Sequence, residues 1–250
     1  MFSDFAAKIG YNDESEKVNN YYLYPMNFLS HFYFDRKNSS SYEVTGAILP
    51  DLIKNANKEW NFYPQKQEAL FLTDPVQHEL LNGWKKHLEV DKRFHSSLFF
   101  EEHTTALKAL LKPILQDSAV RPSFLAHIGV ELLLDHLLIE NRKIDLQDFY
   151  TRLENCDEAA LSRFLTCCGL SDSQPFLDFF QRFKSARYLF SYQKTENISY
   201  ALQRICMRIW PDPFTATTAK ALTGKLDRYK EILNEDYLRI FDEIDEQLVG

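Results

Sequence analysis

Turn-forming residues are scarce: 7 Gly and 9 Pro in 250 residues. So small a supply works against a β-rich fold with many tight reversals and favours long helices. Positive charge is short as well. The 29 Lys and Arg face 36 Asp and Glu, for a net charge of −7. That is not the basic footprint left by non-specific nucleic-acid binding. The four cysteines, Cys156, Cys167, Cys168 and Cys206, form no CxxC pair and have no zinc-finger spacing. They read as buried reduced thiols in a reducing compartment. No apolar run reaches the ~18 residues of a membrane span. Residues 1–25 carry Asp4, Lys8, Asp13, Glu14, Glu16 and Lys17 and lack an apolar signal core. These absences predict a cytoplasmic protein without nucleic-acid or membrane partners. There is also no phosphate-binding GxxxxGK loop, no GxGxxG, no GxSxG and no HExxH. Nucleotide-loop, serine-hydrolase and zinc-protease chemistries therefore lack support.

What the chain has is apolar mass: 45% hydrophobic residues, with 20 Phe and 13 Tyr. Residues 1–25 read as an N-terminal extension ended by Pro25, and residues 26–250 as one all-α domain. Met26–Phe34 reads as a short helix. Asp74-Pro75 starts a long helix to about residue 95, with Asp as N-cap and Pro at the first position. A second helix covers about 97–115. Pro122 or Ser123 opens a helix that is apolar nearly all round and hence buried. Asp145 and Asp157 are plausible caps, and Gly169 a C-cap. Gln174-Pro175 opens a helix whose Phe176, Leu177, Phe179, Phe180 and Phe183 form a core stripe. A further helix covers 195–210, and a charged amphipathic segment covers 214–248 with a break at Gly224 or Asn234.

Two stripes of ionisable residues stand out. His87, Asp91 and His95 recur every four residues, as do His127, Glu131 and Asp135, the last followed at once by His136. On a helix of about 3.6 residues per turn such positions share one face. Facing helices that each carry several acids and imidazoles are the means by which helical bundles build metal sites. Ionisable groups in an all-apolar helix need partners. Asp51 sits between Ile48-Leu49 and Leu52-Ile53, where a carboxylate is costly unless paired, hydrogen-bonded or bound to a metal; a helix-end residue facing water is the other reading. Gly46 allows close backbone approach. His31, among aromatics, reads on its own as a core histidine. Imidazole and carboxylate donors without cysteine suit Mn²⁺, Mg²⁺ or Fe²⁺. The residues thus point to a helical metal-dependent phosphohydrolase.

Several segments are similar to those of acyl carrier protein phosphodiesterases. Met26-Asn-Phe-Leu-Ser-His31 resembles that family's MNFLAH start, and Gly46-Ala-Ile-Leu-Pro-Asp51-Leu its G-N-x-x-x-D-F segment. Gly83-xxx-His87-xxx-Asp91-xx-Phe94-His95 resembles G-x-x-x-H-R-x-I-D-x-x-T-D. Glu131-xxx-Asp135-His136-Leu-Leu resembles D-x-x-x-D-H-F-L, and a looser likeness continues through Tyr192 and Arg204. The resemblance spans about residues 26–210. It implies an HD-like helical bundle that removes 4′-phosphopantetheine from the serine of holo-acyl carrier protein with Mn²⁺ or a similar ion. Carried over by position, His31, Asp51, His87, Asp91 and Asp135 are metal ligands or their close supports. His95 and His136 are the proton-transfer or supporting groups. An acidic carrier would need a local basic docking face; Lys85, Lys86, Lys92 and Arg93 are candidates for it, although such a charge run reads first as plain solvated helix surface. Three positions depart from the family pattern: Ala47, Leu88 and the pair Phe94-His95. They leave two alternatives open: the same chemistry on a small phosphoester or nucleotide, or a non-catalytic helical interaction protein.

Overall fold

The computed structural model describes residues 27–38 and 40–249. The expected extension over residues 1–25, and Met26, lie outside the described residues. Among those described there are eleven α-helices and no strand, so the all-α expectation holds. They are α1 (Phe28–Asp35), α2 (Ser41–Ala56), α3 (Pro75–Ser96), α4 (Leu98–Leu111), α5 (Pro122–Glu140), α6 (Leu146–Glu154), α7 (Glu158–Cys167), α8 (Gln174–Ala186), α9 (Thr195–Cys206), α10 (Ala216–Asn234) and α11 (Leu238–Val249). Short 3₁₀ turns cover Pro64–Lys66, Glu68–Leu70, Lys112–Leu115 and Tyr188–Gln193.

The middle of the core is α5. Its Leu125, Val130, Leu133, Leu134, Leu137 and Leu138 are fully buried, and α1, α4, α9 and α10 pack around it. By length and hydropathy alone α5 is a helix that could cross a membrane, although no such run was expected; 72% of it is buried inside the protein, as in a core helix. Pro122 occupies its first turn, where a missing amide costs nothing. The caps of α3, α6 and α7 are those expected: Asp74, Asp145 and Asp157 each accept amide hydrogens from the first turn. Gly169, at φ +94, ends α7. There the Leu170 amide bonds to Leu165 O and the Gly169 amide to Thr166 O. The Phe176, Leu177, Phe180 and Phe183 side of α8 is buried. One expected boundary shifts, and of the two breaks considered for the C-terminal segment the one at Asn234 holds. The helix from 195 stops at Cys206 rather than 210, and α10 runs through Gly224 and ends at Asn234.

The pair α2 and α3 positions much of the site. They cross with glycine on both sides. A Cβ on Gly83 would lie 2.0 Å from Glu43 O and 2.7 Å from Ala47 N; one on Gly46 would lie 2.3 Å from Leu80 O. Backbone meets backbone there, and only glycine permits it. Because the helices touch at Gly83, the side chain one turn further along α3, His87, reaches the α2 carbonyl of Ala47 at 2.8 Å. Pro50 lies inside α2 and has no amide for the carbonyl of Gly46, four residues back.

A buried carboxylate anchors α1. Its own N-cap, Asn27, gives no side-chain hydrogen bond. Asp135 of α5 replaces it: Oδ2 accepts from Leu29 N at 3.1 Å, and Oδ1 from Ser30 N at 2.8 Å and Ser30 Oγ at 2.7 Å. The α11 helix clasps the same element from outside, with Phe241 against Tyr33 and Phe34 at ring separations of 4.6 and 5.8 Å.

Candidate metal centre

The three elements that carry the sequence stripes and His31 converge. His31 (α1), His87 and Asp91 (both α3) each offer a donor atom, all within 4.8 Å of one another. The rings of His31 and His87 stack at 4.0 Å and 22°. A carbonyl can only accept, so Ala47 O holds the proton on His87 Nδ1 and leaves Nε2 bare. That Nε2 lies 3.9 Å from Asp51 Oδ1. His31 is buried, and neither ring nitrogen has a hydrogen-bond partner. A buried imidazole left this way forfeits roughly 1–3 kcal/mol. The fit is therefore that of a ligand side chain, with orphan nitrogens beside a second imidazole and two carboxylates.

The electrostatics agree with that reading. Burial, then the neighbouring His87 and His95, hold His31 well below the usual imidazole range. Burial also lowers His87, against the pull of Asp91 and the Ala47 carbonyl. Both imidazoles are thus neutral, as metal ligation requires. Burial and the nearby charges of Asp91 and Glu131 push Asp51 well above the ordinary carboxylate value. Burial pulls Asp91 upward, but the hydrogen bond and charge of His95 outweigh it, and Asp91 stays low and ionised.

A second group adjoins the first. His95 Nδ1 lies 2.9 Å from Asp91 O and 3.1 Å from Asp91 Oδ1, and its Nε2 lies 2.9 Å from Glu131 Oε1. His127 Nε2 approaches the same oxygen at 3.1 Å. Burial acts to lower His95, but the hydrogen bonds and charges of Asp91 and Glu131 raise it to about 10. A family model described as acyl carrier protein phosphodiesterase matches residues 26–244. The chain belongs to the acyl carrier protein phosphodiesterase family. That name supports a hydrolase acting on a phosphodiester, with acyl carrier protein as substrate. No curated protein and no solved structure matches the chain.

The segments similar to the family thus sit on α1, α2, α3 and α5, and the structure brings His31, Asp51, His87 and Asp91 to one place, with His95 in the adjoining group against Asp91. Two expected residues sit apart from the donor clusters. The Asp135 carboxylate is fully buried and engaged with the start of α1. His136 turns the other way: its Nδ1 donates to Tyr192 O at 2.6 Å, and its Nε2 lies 3.6 Å from Glu140. The sequence marks His127 and Glu131 as potential metal ligands along one helix face but does not say which residues they meet. Their shared contact with His95 depends on how α3 packs near α5, which spacing along one helix does not encode. Most of the expected docking face is paired internally. Lys85 meets Glu68 at 2.8 Å, Lys86 meets Asp35 at 2.9 Å and Arg93 meets Glu89 at 2.6 Å; Lys92 is exposed.

Proposed function

We propose that the chain is a divalent-cation-dependent phosphodiesterase that releases 4′-phosphopantetheine from the serine of holo-acyl carrier protein. The observation that carries this reading is His31, buried with both ring nitrogens unpartnered beside His87 and Asp91. His31, His87 and Asp91 would hold the ion, with Asp51 alongside. An ion of the Mn²⁺, Mg²⁺ or Fe²⁺ class supplies positive charge that polarises a phosphoryl oxygen and acidifies water. Asp51, raised by burial and by its acidic neighbours, lies beside these donors, 3.9 Å from His87 Nε2. His95 is protonated and partly exposed at the edge of the group. It is placed to donate a proton to the departing serine oxygen. Burial of His31 and His87 keeps bulk water from their ring nitrogens. In this reading His136 holds the Tyr188–Gln193 turn against α5 through Tyr192 O.

The test is conversion of holo- to apo-carrier by the purified full chain, followed by mass spectrometry. Conversion with Mn²⁺ that stops with a chelator is expected. Full metal loading without conversion rejects this substrate. A small phosphoester is the second reading. It draws on the internal pairing of Lys85, Lys86 and Arg93, which leaves little free positive charge for an acidic carrier. A panel of model phosphoesters separates the two.

A further inference from the structure

We propose that His95, His127 and Glu131 form a second divalent-cation site, open to solvent and of the zinc-preferring two-imidazole, one-carboxylate kind, distinct from the buried group around His31. Their donor atoms lie within 4.8 Å of one another. Both Nε2 atoms approach the same Glu131 oxygen, at 2.9 and 3.1 Å. A tetrahedral centre with bonds of about 2.0–2.2 Å sets its donors roughly 3.3 Å apart, close to what these residues already show.

Three observations point to a ligand rather than to a plain ion pair. First, Glu131 is only 3% exposed, and its second oxygen, Oε2, is buried with no hydrogen-bond partner. Hydrogens on the two imidazoles satisfy Oε1 alone, whereas a cation can draw on both oxygens. Second, the Asp91 carbonyl and carboxylate fix the hydrogen of His95 on Nδ1. The Nε2 that faces Glu131 then needs a positive charge between them, either an added proton or a metal ion. A carboxylate holding the far nitrogen of a ligating histidine is the usual support in metal sites. Third, the His95 and His127 rings lie parallel, 5.0 Å apart at 4°. Stacked this way, both rings turn an Nε2 towards the same Glu131 oxygen.

The two groups differ in access. His127 and His95 side chains are 41% and 30% exposed, whereas His31 and His87 are buried. The outer ion would keep coordination positions for water or an anionic ligand, as three-ligand zinc sites do. An ion on His95 Nε2 would displace the proton assigned to that atom above, so a loaded outer site and proton donation by His95 are alternative states of one side chain; the site does not require the buried group to be loaded.

The test is calorimetric titration of the chelator-stripped full chain with Zn²⁺ alone. Wild type is expected to take two equivalents, His127→Ala one, and His31→Ala the other one. Loss of His127, a direct ligand of the outer site, should weaken that site by more than the roughly 10- to 100-fold that follows loss of a supporting hydrogen bond. His127 is half exposed, so its replacement should leave the melting curve in place. In parallel, ¹⁵N spectra of the wild-type histidine rings should show the Nε2 signals of His95 and His127 moving as zinc is added. Unchanged stoichiometry and affinity in His127→Ala, or static ring signals, overturns the proposal and leaves a protonated His95 as the charge between the carboxylates. A single equivalent lost with His127→Ala but kept in His31→Ala supports the outer site and rejects the inner one.

Discussion

Asp135 is a carboxylate with no exposure, surrounded by three donors from the first turn of α1. Burial outweighs those hydrogen bonds and raises it to about 7 from a usual 3.8. The folded chain therefore holds this proton more tightly than the unfolded chain, and the consequence for stability has a definite sign. The contribution is complete below pH 3.8 and is lost as pH rises towards 7. Unfolding titrations of wild type and Asp135→Asn should differ in slope across that window, the gap narrowing as pH rises. Asp135→Ala should cost about 2–4 kcal/mol below pH 3.8, where that contribution is complete, because a helix start loses its cap inside the core. The sequence showed that this aspartate needed a partner. It could not show that the partner was the backbone of α1, since amides are the same in every sequence.

At the scale of elements, two glycines in helices should respond oppositely to one methyl group. Gly83→Ala drives Cβ into Glu43 O and Ala47 N, backbone that cannot step aside. A loss of about 3 kcal/mol or more is expected, together with weaker cation binding as His87 leaves the Ala47 carbonyl. Gly224→Ala meets nothing within 4 Å and lies inside α10. It should raise stability by about 0.5–1 kcal/mol, the ordinary helix preference for alanine. Paired denaturant melts would show both, and a stable Gly83→Ala would sink the account of the crossing. The same contrast explains which helix ends were legible. Asp74-Pro75, Pro122, Asp145, Asp157 and Gly169 mark ends by local chemistry. Gly224 carries no such chemistry, because nothing nearby asks the chain to turn there.

For the whole molecule, the helical class and the burial of α5 followed from scarce turn residues and an all-round apolar helix. The order of packing did not, because it rests on contacts such as Phe241 with Tyr33. A cation bound only by the folded chain must raise its stability by mass action. At 100 times the dissociation constant the gain is about 2.7 kcal/mol, or roughly 5–11 °C in Tm for a chain of this size. Scanning calorimetry with and without Mn²⁺ measures it, and His31→Gln should lose the part due to the buried group. A shift of the same size in the variant would contradict the role given to His31.

The clasp of α11 on α1 also sets an order of events in time. Tyr33 and Phe241 lie far apart along the chain, and so do Leu29 and Asp135; such distant pairings close late in refolding. Helical signal should return early, while the capacity to bind a cation lags until both ends of the fold have met. Phe241→Ala should lengthen that lag if Phe241 already packs on α1 in the rate-limiting step. Stopped-flow circular dichroism beside a metal-binding dye would follow the two phases separately.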